Sequence, residues 1–166
     1  YGAAANASVQ DNLISDRYYK PEFNHGLLNH QKISAVSNEL IQDYKIRCDN
    51  LDQPVRMLSG GNIQKVIVAR EFSSRMKVIV ANQPTRGIDV GATEFIRRKL
   101  IEIAREQNVG VLLVSADLGE ALETSDSIIV MHNGEIVAYF EDASQVTEIE
   151  LGEYMLGINK QTPEEL

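Results

Sequence analysis

Apolar residues recur along the chain with two periods, and the period changes near Ser73. Before that point the spacing is helical. Ile33, Val36, Leu40 and Tyr44 fall on one helix face, and Asn29 stands ahead of them as a candidate N-cap. The opening YGAAANASVQDNLI reads as a short helix and YYKPEFNHG as a loop, while Ile63, Val66, Ile67 and Phe72 mark the buried side of a further helix entered through Leu58-Ser59-Gly60-Gly61. After Ser73, short apolar runs alternate with helical stripes. Strands are expected at Lys77–Ala81, Val111–Val114 and Ile128–Met131. Between the first two, Ala92, Phe95, Ile96, Leu100, Ile103 and Ala104 line a long helix that should stop near Asn108 or Gly110, and Asp117–Glu123 reads as a short helix before the third. Asn133-Gly134 suits the two positive-φ positions of a tight hairpin into Glu135–Phe140, and a last helix runs roughly from Thr147 to Leu156. Strand alternating with helix predicts an α/β fold with a largely parallel, doubly wound sheet. The change of period divides the chain into a helical subdomain, residues 1–74, and an α/β half, residues 75–166.

Length and charge narrow the function classes. A chain of 166 residues with 43% hydrophobic residues is long enough to bury a core. Its net charge of −8 argues against a nucleic-acid platform, which rewards stripes of Lys and Arg. The longest apolar runs, such as VGVLLVS, fall well short of the roughly 20 residues that span a bilayer, and no charged-then-apolar leader opens the sequence, so a soluble chain is expected. The single Cys48 excludes an intramolecular disulfide and reads as a free thiol filling space in a reducing compartment.

Candidate chemistry concentrates in two stretches. In LSGGNIQK, Ser59 can cap a helix while Gly60 and Gly61 let its first turn approach a ligand closely, leaving bare N–H groups at the positive end of the helix dipole, where a phosphate fits. The same residues equally describe a glycine-rich loop entering a capped helix. In VIVANQPTRGID, the amides Asn82 and Gln83 stand at the carboxyl end of a strand, where open α/β sheets place their ligands. Ser115, Asp117 and His132 form a conceivable nucleophilic set, but no G-x-S-x-G surrounds Ser115. His25, His30 and His132 lack cysteine or acidic companions at ligand spacing, so no metal site is assigned.

LSGGNIQK at Leu58 to Lys65, followed by a strand and then NQPTRGIDVGA at Asn82 to Ala92, resembles the signature motif, Walker B strand and D-loop of an ATP-binding-cassette (ABC) ATPase. The PTRG-D-VGA wording resembles the second cassette of the double-cassette importers for simple sugars and nucleosides, from about SVQDNL to the final LGEYMLG. The resemblance implies part of a P-loop NTPase-like sheet with a helical subdomain ahead of it. No glycine precedes a lysine, so the Gly-Lys-Ser/Thr of a P-loop is absent, and the chain is expected to be the C-terminal portion of a cassette.

In the family two cassettes meet head to tail. The resemblance therefore assigns Ser59, Gly60 and Gly61, with Gln64 one turn along, to the γ-phosphate of ATP held by a companion cassette, and Arg86, Gly87 and Asp89 to a D-loop at the same interface. The family's Mg²⁺-holding Asp, its water-polarising Glu and its switch His correspond to Asn82, Gln83 and Ala116, so this chain's own hydrolytic site is expected to be degenerate. ATP and Mg²⁺ would be held mainly by the companion, with neither nucleotide binding nor turnover expected of the isolated chain. The implied partners are that cassette and a transmembrane permease at the cytoplasmic face of the cell membrane. Tyr18, Tyr19 and Phe23 would either face the permease or close the subdomain's own core. The family's P-loop strand lies between those at Val111–Val114 and Ile128–Met131, so a chain without it presents two sheet edges open to self-association. A rival function class is an α/β interaction module that binds no nucleotide.

Overall fold

The computed structural model describes residues 2–74, 76–162, 164 and 165, which form two compact units. The first holds the chain up to Lys77 together with Thr85–Val109 and is helical. Helix α1, Val9–Ile14, opens with a reciprocal capping box: the Ser8 hydroxyl accepts from Asp11 N–H and the Asp11 carboxylate from Ser8 N–H. Helix α2, His30–Asp43, is capped by Asn29 as its sequence predicts, and it ends before Lys45, whose positive φ stops the helix. Helix α3, Gly60–Phe72, and helix α4, Val90–Glu106, begin at Ser59 and Asp89, each offering a side-chain oxygen to the N–H three residues on. The stop expected near Asn108 is observed, with Asn108 itself at φ 54°.

The sequence division at residue 74 and the compact units differ over Thr85–Val109. Helix α4 packs on α3, and the reason lies at Gly61. A Cβ there would stand 2.6 Å from Asp89 Oδ2 and 2.9 Å from the Ala92 Cβ, so only a glycine lets the two helix beginnings meet. At its other end α3 is closed by Arg17. Its buried guanidinium donates to the carbonyls of Arg70 at 2.6 Å and Ser73 at 3.3 Å, while Asp16 accepts from its Nε at 2.8 Å.

The second unit holds Val78–Pro84 and the chain from Gly110 on. Strands β1, Val78–Asn82, and β2, Gly110–Val114, pair in parallel with Asn82 opposite Val114. Helix α5, Leu118–Thr124, follows; then β3, Ile128–His132, turns through Asn133-Gly134, both at positive φ, into antiparallel β4, Glu135–Phe140. Helix α6, Glu148–Met155, completes a core of Ile128, Val130, Val137, Ala138, Val146 and Leu151. The α/β class holds with a small parallel sheet, β1–β2, and one continuous doubly wound sheet is interrupted between β2 and β3, where the resemblance leaves a strand out. Among the described residues there are two separate two-stranded sheets, because β3 satisfies its ladder in its own hairpin and no strand pairs with the second edge of β2. Val78, Val80, Leu112 and Val114 consequently remain exposed although their apolar runs are those of strands covered on both faces.

Two stability measurements follow. Gly61→Ala should lose about 1–3 kcal/mol through overpacking against Asp89 and Ala92, whereas Gly60→Ala, whose Cβ would meet nothing nearer than the Gly87 carbonyl at 4.0 Å, should stay within about 0.5 kcal/mol. Denaturant midpoints of the two variants check the contrast. Burial pushes the Asp16 carboxyl up, but hydrogen bonds from Arg17 and Ser74 and the Arg17 charge outweigh it and hold Asp16 below the ordinary carboxylate range. A carboxyl lowered on folding contributes stability above its unfolded value of about 3.9 and loses it as pH falls through the folded value. The stability gap between the native chain and Asp16→Asn should therefore be full at pH 7 and close below about pH 4.

Candidate functional site

In the first unit, LSGGN opens α3 with its amino end toward solvent. Ser59 and Gly60 are exposed, and the Ser59 oxygen accepts from Asn62 N–H at 3.4 Å and Asn62 Nδ2 at 3.0 Å. Asn62 is oriented by Arg47, whose backbone N–H donates to Asn62 Oδ1 at 2.9 Å. The first turn of a helix has no intrahelical acceptors for its N–H groups, so the amides of Gly60 and Gly61 lie at this end with the positive pole of the dipole. Gly61 is buried, in contact with Asp89 and Ala92, so its missing side chain serves helix packing. Gln64 is half-buried one turn along. Of the residues expected to form a D-loop, Arg86 and Gly87 are exposed, Gly87 turns at φ 74°, and Asp89 brings its carboxylate beside α3 while capping α4. Thus Ser59, Gly60, Gly61 and Asp89 come together although 30 residues separate the first from the last.

Basic side chains border this end. Lys65 donates to the Lys45 carbonyl at 3.1 Å and lies 4.9 Å over the Phe95 ring. Burial, and then repulsion from Arg47, lower its pKa despite the opposing charge of Asp89. The capping role of Ser59 was legible in the sequence. The Arg47 contact had no such signal, because it is a backbone N–H fifteen residues away.

In the second unit, Asn82, Gln83 and Ala116 gather at the carboxyl ends of the paired strands. Asn82 is exposed at the end of β1. Gln83 sits at φ 52°, a region costly for a side chain with a Cβ, and its N–H donates to the Val114 carbonyl at 2.8 Å. Ala116 is exposed. The nucleophilic set dissolves into structural contacts. Ser115 Oγ donates to Glu120 at 2.6 Å, Asp117 caps α5, and His132 Nδ1 donates to the Met155 carbonyl at 2.8 Å while Nε2 accepts from Asn133. Phe23, 2% exposed, packs with Ile14 and Ile33, whereas Tyr18 and Tyr19 are 48% and 64% exposed. No helix among the described residues is long and apolar enough to cross a membrane.

No family model matches the chain. Individual relatives do. The nucleoside import ATP-binding protein NupA of Lactococcus lactis subsp. cremoris is 38% identical over 159 residues, 95% of this chain and 31% of its own length. The guanosine import ATP-binding protein NupO of Bacillus subtilis is 37% identical over 158 residues, again 95% and 31%. The ribose import ATP-binding protein RbsA of Caldanaerobacter subterraneus subsp. tengcongensis is 38% identical over 135 residues, 81% and 27%. The chain thus spans less than a third of the length of these curated relatives. Among solved structures, a dimeric ATP-binding cassette in a post-hydrolysis state bound to ADP and Pi matches with TM-score 0.67 at 22% identity, covering 82% of this chain and 57% of that one. The ADP conformation of an ATP-binding cassette of an ABC transporter matches with TM-score 0.61 at 20% identity, covering 97% and 61%. These last likenesses concern the fold. With the sequence relatives spanning nearly its whole length, the chain belongs to the ABC ATPase family that includes these import ATP-binding proteins.

Proposed function

We propose that this chain is the signature-bearing part of an import ATPase, residues 1–74 forming its helical subdomain and 75–166 the C-terminal α/β half of its core, and that it works on ATP held by a companion cassette. The observation that carries the reading is the open amino end of α3, where Ser59 and Gly60 face solvent. An anion brought there by another cassette would receive the Ser59 hydroxyl, the first-turn amides and the helix dipole, each charge-assisted hydrogen bond contributing on the order of 1.5–3 kcal/mol once water is excluded. Gln64 lines the approach, and Arg86, Gly87 and Asp89 form the D-loop at the same junction.

The chain's own hydrolytic position is degenerate in this reading. Amides at Asn82 and Gln83 keep the shape of carboxylates but accept no proton at neutral pH and are poor ligands for a hard cation. Ala116 has no group to reach a γ-phosphate. ATP and Mg²⁺ are then held chiefly by the companion's P-loop and carboxylates. A membrane permease passing a nucleoside or simple sugar completes the assembly at the cytoplasmic face.

In the full-length protein carrying both cassettes, Ser59→Arg should abolish most ATP turnover, because a long cation obstructs the α3 end, while Gln83→Ala should leave turnover near its original rate. Steady-state phosphate release measures both. A large loss from Gln83→Ala with none from Ser59→Arg overturns the proposal. Fluorescent ATP with Mg²⁺ should not bind this chain alone and should bind the companion cassette more tightly once this chain is added; an affinity of the companion unchanged by the addition favours the nucleotide-free interaction module.

A further inference from the structure

A cavity of about 540 Å³ opens in the first unit at the end of α3 away from Ser59. Phe72, Ser73 and Ser74, where α3 stops, line it together with the last turns of α2 and the residues that follow α4. The 13 residues of α3, at about 1.5 Å each, put it roughly 20 Å from the helix beginning, and no residue of the nucleotide reading borders it. Its volume is that of a small-molecule site, roughly 300–1,000 Å³. Val36, Leu40, Phe72, Met76 and Val109 make its walls largely apolar.

Three observations decide the charge of what fits. Glu39 and Asp43 stand four residues apart on α2, so both border the cavity from one helix face, and neither forms an ion pair among the described residues. Like charges at that spacing repel, and Asp43 ends α2 at its negative pole, with no basic residue in the last turn. The helix itself gains nothing from either. The cation lining the cavity, Arg17, is already committed: Asp16 accepts from its Nε and a terminal nitrogen, and the Arg70 and Ser73 carbonyls accept further N–H groups. The two carboxylates are therefore left unbalanced. Finally, Tyr44 lines the cavity and is 8% exposed, yet its hydroxyl has no hydrogen-bond partner among the described residues. Phe95 meets its ring edge to face at 6.4 Å, and Lys99 Nζ stands 5.5 Å from the ring centre. Burial, then the charges of Glu102 and Asp43, push the phenol up to about 12, so it is neutral and can accept as well as donate. Buried hydroxyls are normally bonded, and a free one beside a cavity marks a place for a visiting polar atom.

We infer that this cavity binds a small organic amine, its ammonium meeting the Glu39 and Asp43 carboxylates and the Tyr44 hydroxyl while its apolar body lies against Leu40, Phe72 and Met76. A primary ammonium carries three donors and no acceptor, which suits two carboxylates and one free hydroxyl. An anion would meet two negative charges. The site lies wholly within the first unit and needs no companion cassette, so it stands or falls apart from the nucleotide reading.

The test titrates the full-length protein by calorimetry with three probes of similar size, 2-phenylethylamine, 2-phenylethanol and phenylacetate, and follows the Met76 methyl resonance by NMR. The amine should bind at least tenfold more tightly than the alcohol and move the Met76 signal, and phenylacetate should bind more weakly than either. Glu39→Gln/Asp43→Asn should weaken the amine at least tenfold and leave the alcohol unchanged; Tyr44→Phe should weaken the amine severalfold. Both carboxylates are exposed, so the double amide should fold, and with the repulsion removed its ligand-free thermal midpoint should be no lower than that of the native protein. Added salt should weaken the amine alone. Equal affinities for amine and alcohol, an amine affinity that survives the double amide, binding that leaves Met76 unmoved, or no binding of the amine each overturns the inference. Tightest binding of phenylacetate overturns it too and points to Arg17 instead.

Discussion

The close approach of two helix beginnings at Gly61 is the constraint on which the candidate site depends. Without a side chain at that position, the Asp89 carboxylate and the Ala92 methyl fit against the second residue of α3, and the turn that enters α4 is fixed beside LSGGN. Two motifs far apart in the chain become one surface within the first unit. The adjacent Gly60 does something different. It meets almost nothing, so the same pair of glycines divides its work, one admitting a neighbouring helix and the other leaving the helix end uncovered. The Asp89 carboxylate is also a negative group near the positive pole of α3, which weakens that pole at the second residue and leaves Ser59 and Gly60 as the part best suited to an anion.

What could be read in advance follows from the range of each interaction. Asn29, Ser59, Asp89, Asp117 and Thr147 all cap helices, and each contact closes over three residues, so its signal lies in a short window. Asn133-Gly134 is legible for the same reason, because two positive-φ positions are needed in sequence. Long-range contacts have no such signature. Arg17 closes α3 from more than fifty residues away, and nothing in its neighbourhood distinguishes it from a surface arginine. The break in the sheet was legible only through the resemblance, which leaves a strand out between β2 and β3. Runs such as VIVA and VLLV report that a strand is suited to being covered on both faces, not that the covering strands are at hand, and β2 is left with one partner.

The tyrosines and Phe23 show a third kind of limit. Aromatic composition alone allowed all three to be core or all three to be interface. The structure decides between them. Phe23, whose backbone bonds to Lys20 and Asn29, is buried with Ile14 and Ile33, whereas Tyr18, Tyr19 and Leu27 are exposed. Neighbouring aromatics of one loop are thus divided between core and surface.

Gln83 shows a backbone constraint of another kind. Its positive φ costs on the order of 1–3 kcal/mol for a residue with a Cβ, and such strain persists only where surrounding structure imposes it. The imposing contact is visible: Gln83 N–H donates to the Val114 carbonyl, continuing the β1–β2 ladder one residue past the strand, and Pro84 follows buried. That geometry belongs to the backbone and does not need a carboxylate. The corner is therefore set by the main chain, and an amide side chain at position 83 serves it as well as a carboxylate of the same shape would.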